Sequence, residues 1–270
     1  MAWSGGGVAA RKTHYLFIDG ACLDKILQEV GSNFFFPSEL TIDYKQIKAK
    51  GGFDKVFYYH ALPGKEHDET NNDYENRIEL KESSFNSLKL LPDFHVFEGV
   101  TYGRRGKIRQ KAVDIKISVD MLKHTINGNM ERATLLASDL DFKPLLDALL
   151  MEGMHTTLWY KKNTTNKELL YSADRAVPIT IEQVFDWMPL SFAQGIKLPY
   201  IHRQPTDRSG MTKQKDLLIN KQSGILFKTN KEFIIEYSQD HNSATYASHS
   251  NYESLKYFLE HDKGLVIEEV

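Results

Sequence analysis

The stretch that decides the fold is ATLLASDLDFKPLLDALLM, which covers residues 133–151. Its first part is short and almost wholly apolar, its middle is an acidic turn with Asp139 and Asp141, and its last part has a helical pattern. A buried strand that leads through a turn into a helix is typical of a parallel sheet covered on both faces. We therefore predict a strand over 133–139, a helix over 143–151 and an α/β fold.

The same alternation of apolar runs and longer amphipathic stretches continues from Thr13 to about Trp187, which predicts one α/β domain over residues 13–187. Residues 1–12 are rich in glycine and are expected to be a disordered lead-in. Further strands are predicted at residues 14–20, 55–63, 94–102 and 155–160, and further helices at residues 73–90 and 113–126.

The pattern of residue types changes after this domain. Residues 188–210 contain several prolines and glycines and have no clear periodicity, which predicts a linker. Residues 211–270 predict a small α+β unit with a hairpin over 224–238, a helix and a final strand. Ser250 and Glu253 have the spacing of a capping box at the start of that helix, and Gly264 is expected to end it.

The composition bounds the class of protein. Cys22 is the only cysteine, so no disulfide can form within the chain, which fits a reducing compartment. The first residues lack the apolar segment of a signal peptide, and no apolar run is long enough to span a membrane. We therefore expect a cytoplasmic protein without a membrane segment. Because the net charge is −2, any surface that binds nucleic acid must be a local basic patch.

Four aspartates are predicted to meet at one edge of the sheet. Asp19 ends the first strand, and Asp139 ends the strand over 133–139. Asp141 follows two residues later, and Asp114 begins the helix over 113–126. In a parallel α/β sheet ligands bind at the carboxyl ends of the strands. All four carboxylates can therefore converge there, although no sequence spacing alone brings them together.

Such a cluster is costly without a cation. Two carboxylates at ~4 Å repel by about 4 kcal/mol at an effective dielectric constant of about 20. Four of them either raise some pKa values or bind a hard cation, and Mg²⁺ or Mn²⁺ suits oxygen ligands. A pair of such ions can clamp a phosphodiester for attack by water. The ten histidines form no pair at zinc-ligand spacing. Asp19, Asp114, Asp139 and Asp141 are therefore candidate ligands of a divalent cation and candidate catalytic residues.

Each acid also has a purely structural explanation. Asp19 could be a turn residue before Gly20, Asp141 the N-cap of the next helix, and Asp114 a first-turn acid favoured by the helix dipole. Asp139 precedes no obvious cap. Two further acids, Asp120 and Asp174, are expected to be structural.

A basic stretch, GRRGKIRQK at residues 103–111, comes just before Asp114 and contains no acid. It is predicted to be a loop that neutralises RNA phosphates and draws a strand across the acidic site, although a solvated hairpin tip would have the same composition. The candidate substrate-binding residues are Arg104, Arg105, Lys107, Arg109 and Lys111.

Four segments resemble, in order and spacing, the NYN family of PIN-like nucleases over roughly residues 13–187. They are YLFIDGACL (15–23), KAVDIKISVDML (111–122), LLASDLDFKPLLDAL (135–149) and YSADRAVPI (171–179). The resemblance implies a PIN-like parallel sheet flanked by helices, to which the small C-terminal α+β unit is added. It also implies that the four aspartates hold a divalent cation that activates water for RNA cleavage. The C-terminal unit resembles no family that we can name.

One departure from the family pattern leaves alternatives open. The family usually has an asparagine three residues after its first aspartate, and this chain has Cys22 there. A thiol is a poor substitute for an amide that holds a water or a phosphate oxygen. Besides a metal-dependent endoribonuclease acting on single-stranded or structured RNA, the sequence allows a catalytically weak RNA-binding or scaffold protein with a degenerate site, or a structure-specific DNA nuclease. The C-terminal unit is a possible site for a homodimer or protein partner. A phosphatase of the haloacid dehalogenase type would need a second aspartate at the position of Ala21.

Overall fold

The structure is a computed structural model that describes residues 13–35, 40–104, 107–111, 113–203, 209–240 and 243–270. Within these ranges only the backbone is described for residues 100–104, 107–111, 239, 240 and 243. The predicted lead-in over residues 1–12 lies outside the described residues. None of the helices in the described ranges is long and apolar enough to cross a lipid bilayer.

The first sheet has seven strands in the order β4-β3-β2-β1-β5-β6-β7. Six of them run parallel, and β4 pairs with β3 in the antiparallel sense. This confirms the predicted parallel α/β sheet. The strands are β1 (His14–Asp19), β2 (Lys55–Ala61), β3 (Phe94–Arg104), β4 (Lys107–Lys111), β5 (Arg132–Leu136), β6 (His155–Tyr160) and β7 (Arg175–Pro178).

Helices cover both faces of this sheet, because strand side chains alternate between the faces. On one face Phe17 and Leu135 are buried in a core with Ile117 and Leu146, which belong to two different helices. On the other face Phe85 packs against Tyr58, with ring centroids 6.2 Å apart. The helices of this part of the chain are α1 (Gly20–Asn33), α2 (Tyr44–Gly51), α3 (Asn71–Lys89), α4 (Val113–Ile126), α5 (Lys143–Met151) and α6 (Lys167–Tyr171).

The second sheet has six antiparallel strands in the order β13-β9-β10-β11-β12-β8. Its helix α9 buries Leu255, Phe258 and Leu259, as the predicted apolar face requires. The elements are α7 (Ile181–Asp186), α8 (Leu190–Ala193), β8 (Tyr200–His202), β9 (Thr212–Ile219), β10 (Gln222–Lys228), β11 (Phe233–Asp240), β12 (Ser243–His249), α9 (Tyr252–His261) and β13 (Ile267–Glu269).

The chain divides into two compact units. The first contains Ile47–Pro178 and the described part of Met1–Asp24, and the second contains Lys25–Gln46 and Ile179–Val270. The segment over 188–210, predicted to be a linker, contains α8 and the edge strand β8, which pairs with β12. A proline just before an edge strand is compatible with pairing, so Pro199 does not prevent it.

The N-cap of α9 also differs from the prediction. Asn251, not Ser250, caps the helix, because its side chain accepts a hydrogen bond from the Ser254 amide at 2.9 Å. Both residue types are good caps, and the extended backbone of Asn251 decides between them. Gly264 lies just beyond the helix with a φ of 69°, in agreement with its predicted role.

Candidate active site

Asp19 lies at the carboxyl end of β1, which is a central strand between β2 and β5. Its Oδ1 accepts a hydrogen bond from the Ala21 amide at 3.0 Å. Burial raises the pKa of Asp19 to about 6, and the negative charge of Asp114 adds to this, while the amides of Cys22 and Ala21 act against it. The amide hydrogen bonds therefore do not fully offset the cost of burying the Asp19 carboxylate.

Asp114 lies in the first turn of α4, where the chain returns to the sheet after β4. Its side chain is exposed, yet the surrounding protein displaces enough water to raise its pKa, and the charges of Asp139 and Asp141 raise it further. The charge of Asp114 also raises the pKa of Asp19. Asp114 therefore interacts electrostatically with each of the other three aspartates.

Asp139 and Asp141 follow β5 in a 3-10 turn formed by Leu140–Phe142. Asp139 is the N-cap of this turn, because its Oδ1 accepts a hydrogen bond from the Asp141 amide at 3.0 Å. Asp139, and not Asp141, therefore has the capping role that the sequence pattern had suggested for Asp141. The N-cap position of α5 is Phe142, without a side-chain hydrogen bond, because the 3-10 turn lies between the strand and the helix. The side chains of both aspartates are exposed to solvent.

The four aspartate carboxylates are chemically suited to bind a hard divalent cation. All four groups offer only carboxylate oxygens, and none forms an ion pair with a lysine or arginine of the described residues. No three His, Cys, Asp or Glu side chains in the described part of the chain are placed so that together they could hold a metal ion. Mg²⁺ keeps several waters and is commonly held by one or two carboxylates. The residues therefore fit a hydrated cation better than one enclosed by protein ligands.

Ser138 is a residue of the site that the sequence analysis missed. Its Oγ accepts a hydrogen bond from the Lys161 amide at 2.8 Å and one from the Cys22 Sγ at 3.3 Å. The thiol of Cys22 is 5% exposed. The cysteine that replaces the usual asparagine therefore contacts the residue immediately before Asp139, which ties the first turn of α1 to the acidic turn.

A polar network around the buried His60 supports the start of α1 from the side of β2. His60 lies with its Nε2 2.8 Å from the Asp24 carboxylate, and Lys81 of α3 donates to the same oxygen at 2.9 Å. Burial opposes ionisation of Asp24, but these partners outweigh it and lower the pKa of Asp24. A Cβ atom at Gly20 would lie 2.4 Å from the His60 ring, so only glycine fits next to Asp19. The network fixes the backbone that presents Asp19.

The two aspartates expected to be structural have local partners. Asp120 accepts hydrogen bonds from the Tyr59 hydroxyl at 2.9 Å and from Lys116 at 2.5 Å. Asp174 accepts one from the Thr156 amide at 2.7 Å, and this bond lowers the pKa of Asp174. Neither carboxylate is among the causes that raise the pKa of Asp19 or of Asp114.

The basic stretch is a pair of strands where the sequence analysis predicted a loop. β3 continues beyond its last pair with β2, and from Val100 onward it pairs with β4. This register places Lys107 opposite Arg104, Arg109 opposite Tyr102 and Lys111 opposite Val100. The strand β4 has only Ile108 as a residue of high strand propensity, and its pairing with β3 overrides the turn-like composition. Arg105 lies outside the described residues, and so do the side chains of the other four candidates.

Comparison with known proteins identifies the family. No curated protein matches this chain. A solved structure similar to it is the crystal structure of a protein of unknown function from Vibrio parahaemolyticus, with 16% identity and a TM-score of 0.44, covering 62% of this chain and 93% of that one. The sequence model of the NYN domain matches residues 15–181, which include all four aspartates. The chain therefore belongs to the NYN domain family, which has a PIN-like nuclease fold and whose members are generally nucleases.

Proposed function

We propose that this protein is a metal-dependent endoribonuclease that hydrolyses RNA phosphodiester bonds at the carboxyl edge of the first sheet. The observation that carries the proposal is the raised pKa of Asp19 and of Asp114, which lie at that edge without cationic partners among the described side chains. Family membership supports nuclease chemistry. RNA as the substrate and Mg²⁺ or Mn²⁺ as the cation belong to the proposal, as does a cytoplasmic location.

One or two of the four aspartates would hold a hydrated cation directly and the others would act through its waters; the cation, when bound, would supply positive charge beside the scissile phosphate and lower the pKa of a bound water. Asp139 contributes through a side chain whose orientation is fixed by its own capping bond to the Asp141 amide. Asp19 is oriented in the same way by the Ala21 amide. Side chains that are already oriented need little rearrangement when the ligand arrives, which is the main advantage of a preorganised site.

A second candidate is a catalytically weak protein that binds RNA as a scaffold. The observation that favours it is Cys22, whose thiol bonds to Ser138 where an amide would offer both a donor and an acceptor. The two candidates differ in turnover. A scaffold would bind RNA and release it uncut at every divalent-metal concentration, whereas the nuclease would cut RNA only when the metal is present.

The experiment that tests the proposal compares cleavage of end-labelled single-stranded RNA, hairpin RNA and DNA with Mg²⁺, Mn²⁺ or EDTA. Asp139→Asn is the inactive variant, because asparagine preserves the cap of the 3-10 turn and removes the charge. Asp147→Asn is the matched control, since Asp147 lies in α5 and pairs only with Lys143 at 2.6 Å. We expect metal-dependent RNA cleavage by the parent and by Asp147→Asn. Cutting by Asp139→Asn at the parental rate, or cutting of DNA alone, would overturn the proposal.

A further inference from the structure

We infer that the loop after β6, residues 161–167, binds the phosphate backbone of the substrate, so that the RNA strand leaves the acidic site across β5 and β6. This inference rests on the proposed function and adds a binding surface and a direction to it. The loop has the sequence KKNTTNK, with three lysines and no acid. Lysine ammonium groups, hydroxyls and amides are the side chains that commonly contact phosphate oxygens.

The loop is attached directly to the acidic site. β6 runs parallel to β5, so both strands end at the same edge of the sheet. The Lys161 amide donates to the Ser138 Oγ at 2.8 Å, and Ser138 is the neighbour of Asp139. A single hydrogen bond therefore joins the first residue of the loop to the turn that presents two of the four aspartates.

The loop also has a defined backbone conformation. The Thr165 hydroxyl donates to the Lys161 carbonyl at 2.8 Å, and the Asn166 side chain accepts from the Glu168 amide at 2.8 Å. Asn163 has a φ of 66°, a conformation that asparagine tolerates better than most residues. Asn163, Thr164 and Lys167 are exposed, and Lys161 and Lys162 are half-buried. These bonds fix the backbone of the loop, which begins at the hydrogen bond between the Lys161 amide and Ser138.

The side of the site next to α3 has a cavity lined by negatively charged residues, in contrast to the lysine loop. A cavity of about 480 Å³ lies between α3 and the ends of β2 and β3, and its lining includes Glu75, Glu79, Glu82 and Glu98. Glu98 pairs with Lys89 at 2.5 Å, and no described cation pairs with the other three. Carboxylates in a concave, partly apolar wall repel phosphates. The wall of this cavity therefore disfavours a phosphate backbone, whereas the lysine loop favours one.

The test uses RNA binding and cleavage together. In the variant with Lys161, Lys162 and Lys167 changed to Gln, we expect KM to rise roughly tenfold while kcat stays near the parental value, because the loop contacts the backbone and not the reacting atoms. The slope of the salt dependence of RNA binding, measured by fluorescence anisotropy in EDTA, should fall by about 0.7 for each phosphate that no longer has a lysine partner. The triple Lys→Arg variant keeps the charges and should restore both values.

Two controls make the result specific. Lys123→Gln changes an exposed lysine in the last turn of α4, at the other edge of the sheet, and should change neither KM nor the salt dependence. Changing Glu79 and Glu82 to Gln should leave KM unchanged or lower it. An unchanged KM and salt dependence in the folded Lys→Gln variant, together with normal cleavage, would overturn the inference but not the proposed function. Absence of cleavage by the parent in any metal would overturn the proposed function, and the binding assay in EDTA would still test the loop.

Discussion

The aspartates of the candidate site and the paired acids of the second unit have opposite environments. At the edge of the first sheet, Asp19 and Asp114 have raised pKa values because burial and neighbouring aspartates disfavour their charge. In the second unit, Glu269 accepts hydrogen bonds from Lys215 and Tyr252, and these partners lower its pKa. Asp262 accepts bonds from the Ile181 and Glu182 amides and lies 2.8 Å from the His261 ring. The acids of the second unit thus have cationic, hydroxyl or paired amide donors, whereas Asp19 and Asp114 have no cationic partner among the described side chains.

The largest effect that this comparison predicts is on catalysis. Asp114→Asn should reduce metal-dependent RNA cleavage at least ~100-fold, which corresponds to about 2.7 kcal/mol of lost transition-state stabilisation. Glu269→Gln changes a paired acid and should leave kcat per folded molecule unchanged. Single-turnover cleavage rates measure both. Comparable losses in the two variants would show that the acids of the first sheet have no special role.

The next effect concerns the stability gained from a cation. The parent should gain ~2.7 kcal/mol in the free energy of unfolding when Mn²⁺ is present at about 100 times its Kd, because the ion binds only the folded site. Denaturant unfolding in Mn²⁺ and in EDTA measures this gain. Asp114→Asn should gain much less, and Glu269→Gln should gain as much as the parent. A parent that is indifferent to Mn²⁺ would contradict the assignment of the site.

The third effect is a pH dependence of stability in EDTA. Because the folded-state pKa of Asp19, about 6, lies above the usual aspartate value of 3.8, folding favours the protonated form. That contribution is fully present below the unfolded-state pKa and is lost as the pH rises through about 6. The parent should therefore lose stability relative to Asp19→Asn between acidic and neutral pH. The difference should be on the order of 3 kcal/mol, because the pKa of Asp19 rises from 3.8 to about 6 and each pKa unit corresponds to about 1.36 kcal/mol.

Denaturant unfolding of both proteins at several pH values measures this difference. Asparagine can still accept the Ala21 amide bond, so the comparison isolates the charge. Glu269→Gln is the contrasting variant, because the pKa of Glu269 is lowered and its contribution is lost in the other direction, as the pH falls. A parental protein that gains stability relative to Asp19→Asn on going to neutral pH would show that Asp19 is stabilised in its charged form.

The smallest effect tests the structural character of the second unit. Asn251→Ala removes the cap of α9 and should cost ~1 kcal/mol of unfolding free energy. Ser250→Ala changes the residue that the sequence pattern predicts as the cap. It should lower the unfolding free energy by only about a few tenths of a kcal/mol. Cleavage rates of both folded variants should equal the parental rate. A larger loss for Ser250→Ala would restore the capping box inferred from the sequence.

The sequence predicted best the elements whose signals are local. The helices α4 and α5 and the strand β6 have the predicted bounds, because each is a short segment with one clear pattern and a turn at either end. The helix α1 was not predicted, since it begins at Gly20, a residue type that disfavours helices, and Asp19, which accepts hydrogen bonds from the Ala21 and Cys22 amides at its start, was interpreted as a turn residue. The strand β9 was also missed, because its first residues, TKQKD, are mostly polar and exposed.

The hairpin between β9 and β10 shows why such elements escape detection. It turns through Asn220 and Lys221, which both have positive φ values of 49° and 65°. Asparagine followed by glycine is the strong signal for this turn, and the lysine at the second position hides it. Pairing with β10 on one side and β13 on the other stabilises the strand in spite of its weak propensity.

The sequence alone was enough to predict that Asp19 ends a buried strand and that Asp139 closely follows one, because strand periodicity and the turn that follows are local properties of the chain; the strand predicted over 133–139 ends at Leu136, since Asp139 caps a 3-10 turn. Only the tertiary structure decided that Asp114 interacts with all three other acids, that Asp139 caps the turn before α5, and that the Lys161 amide bonds to Ser138. Most of these interactions join residues that are far apart in the chain. Their distances depend on the order and register of the parallel strands, which are set by the packing of the whole sheet and not by any single segment.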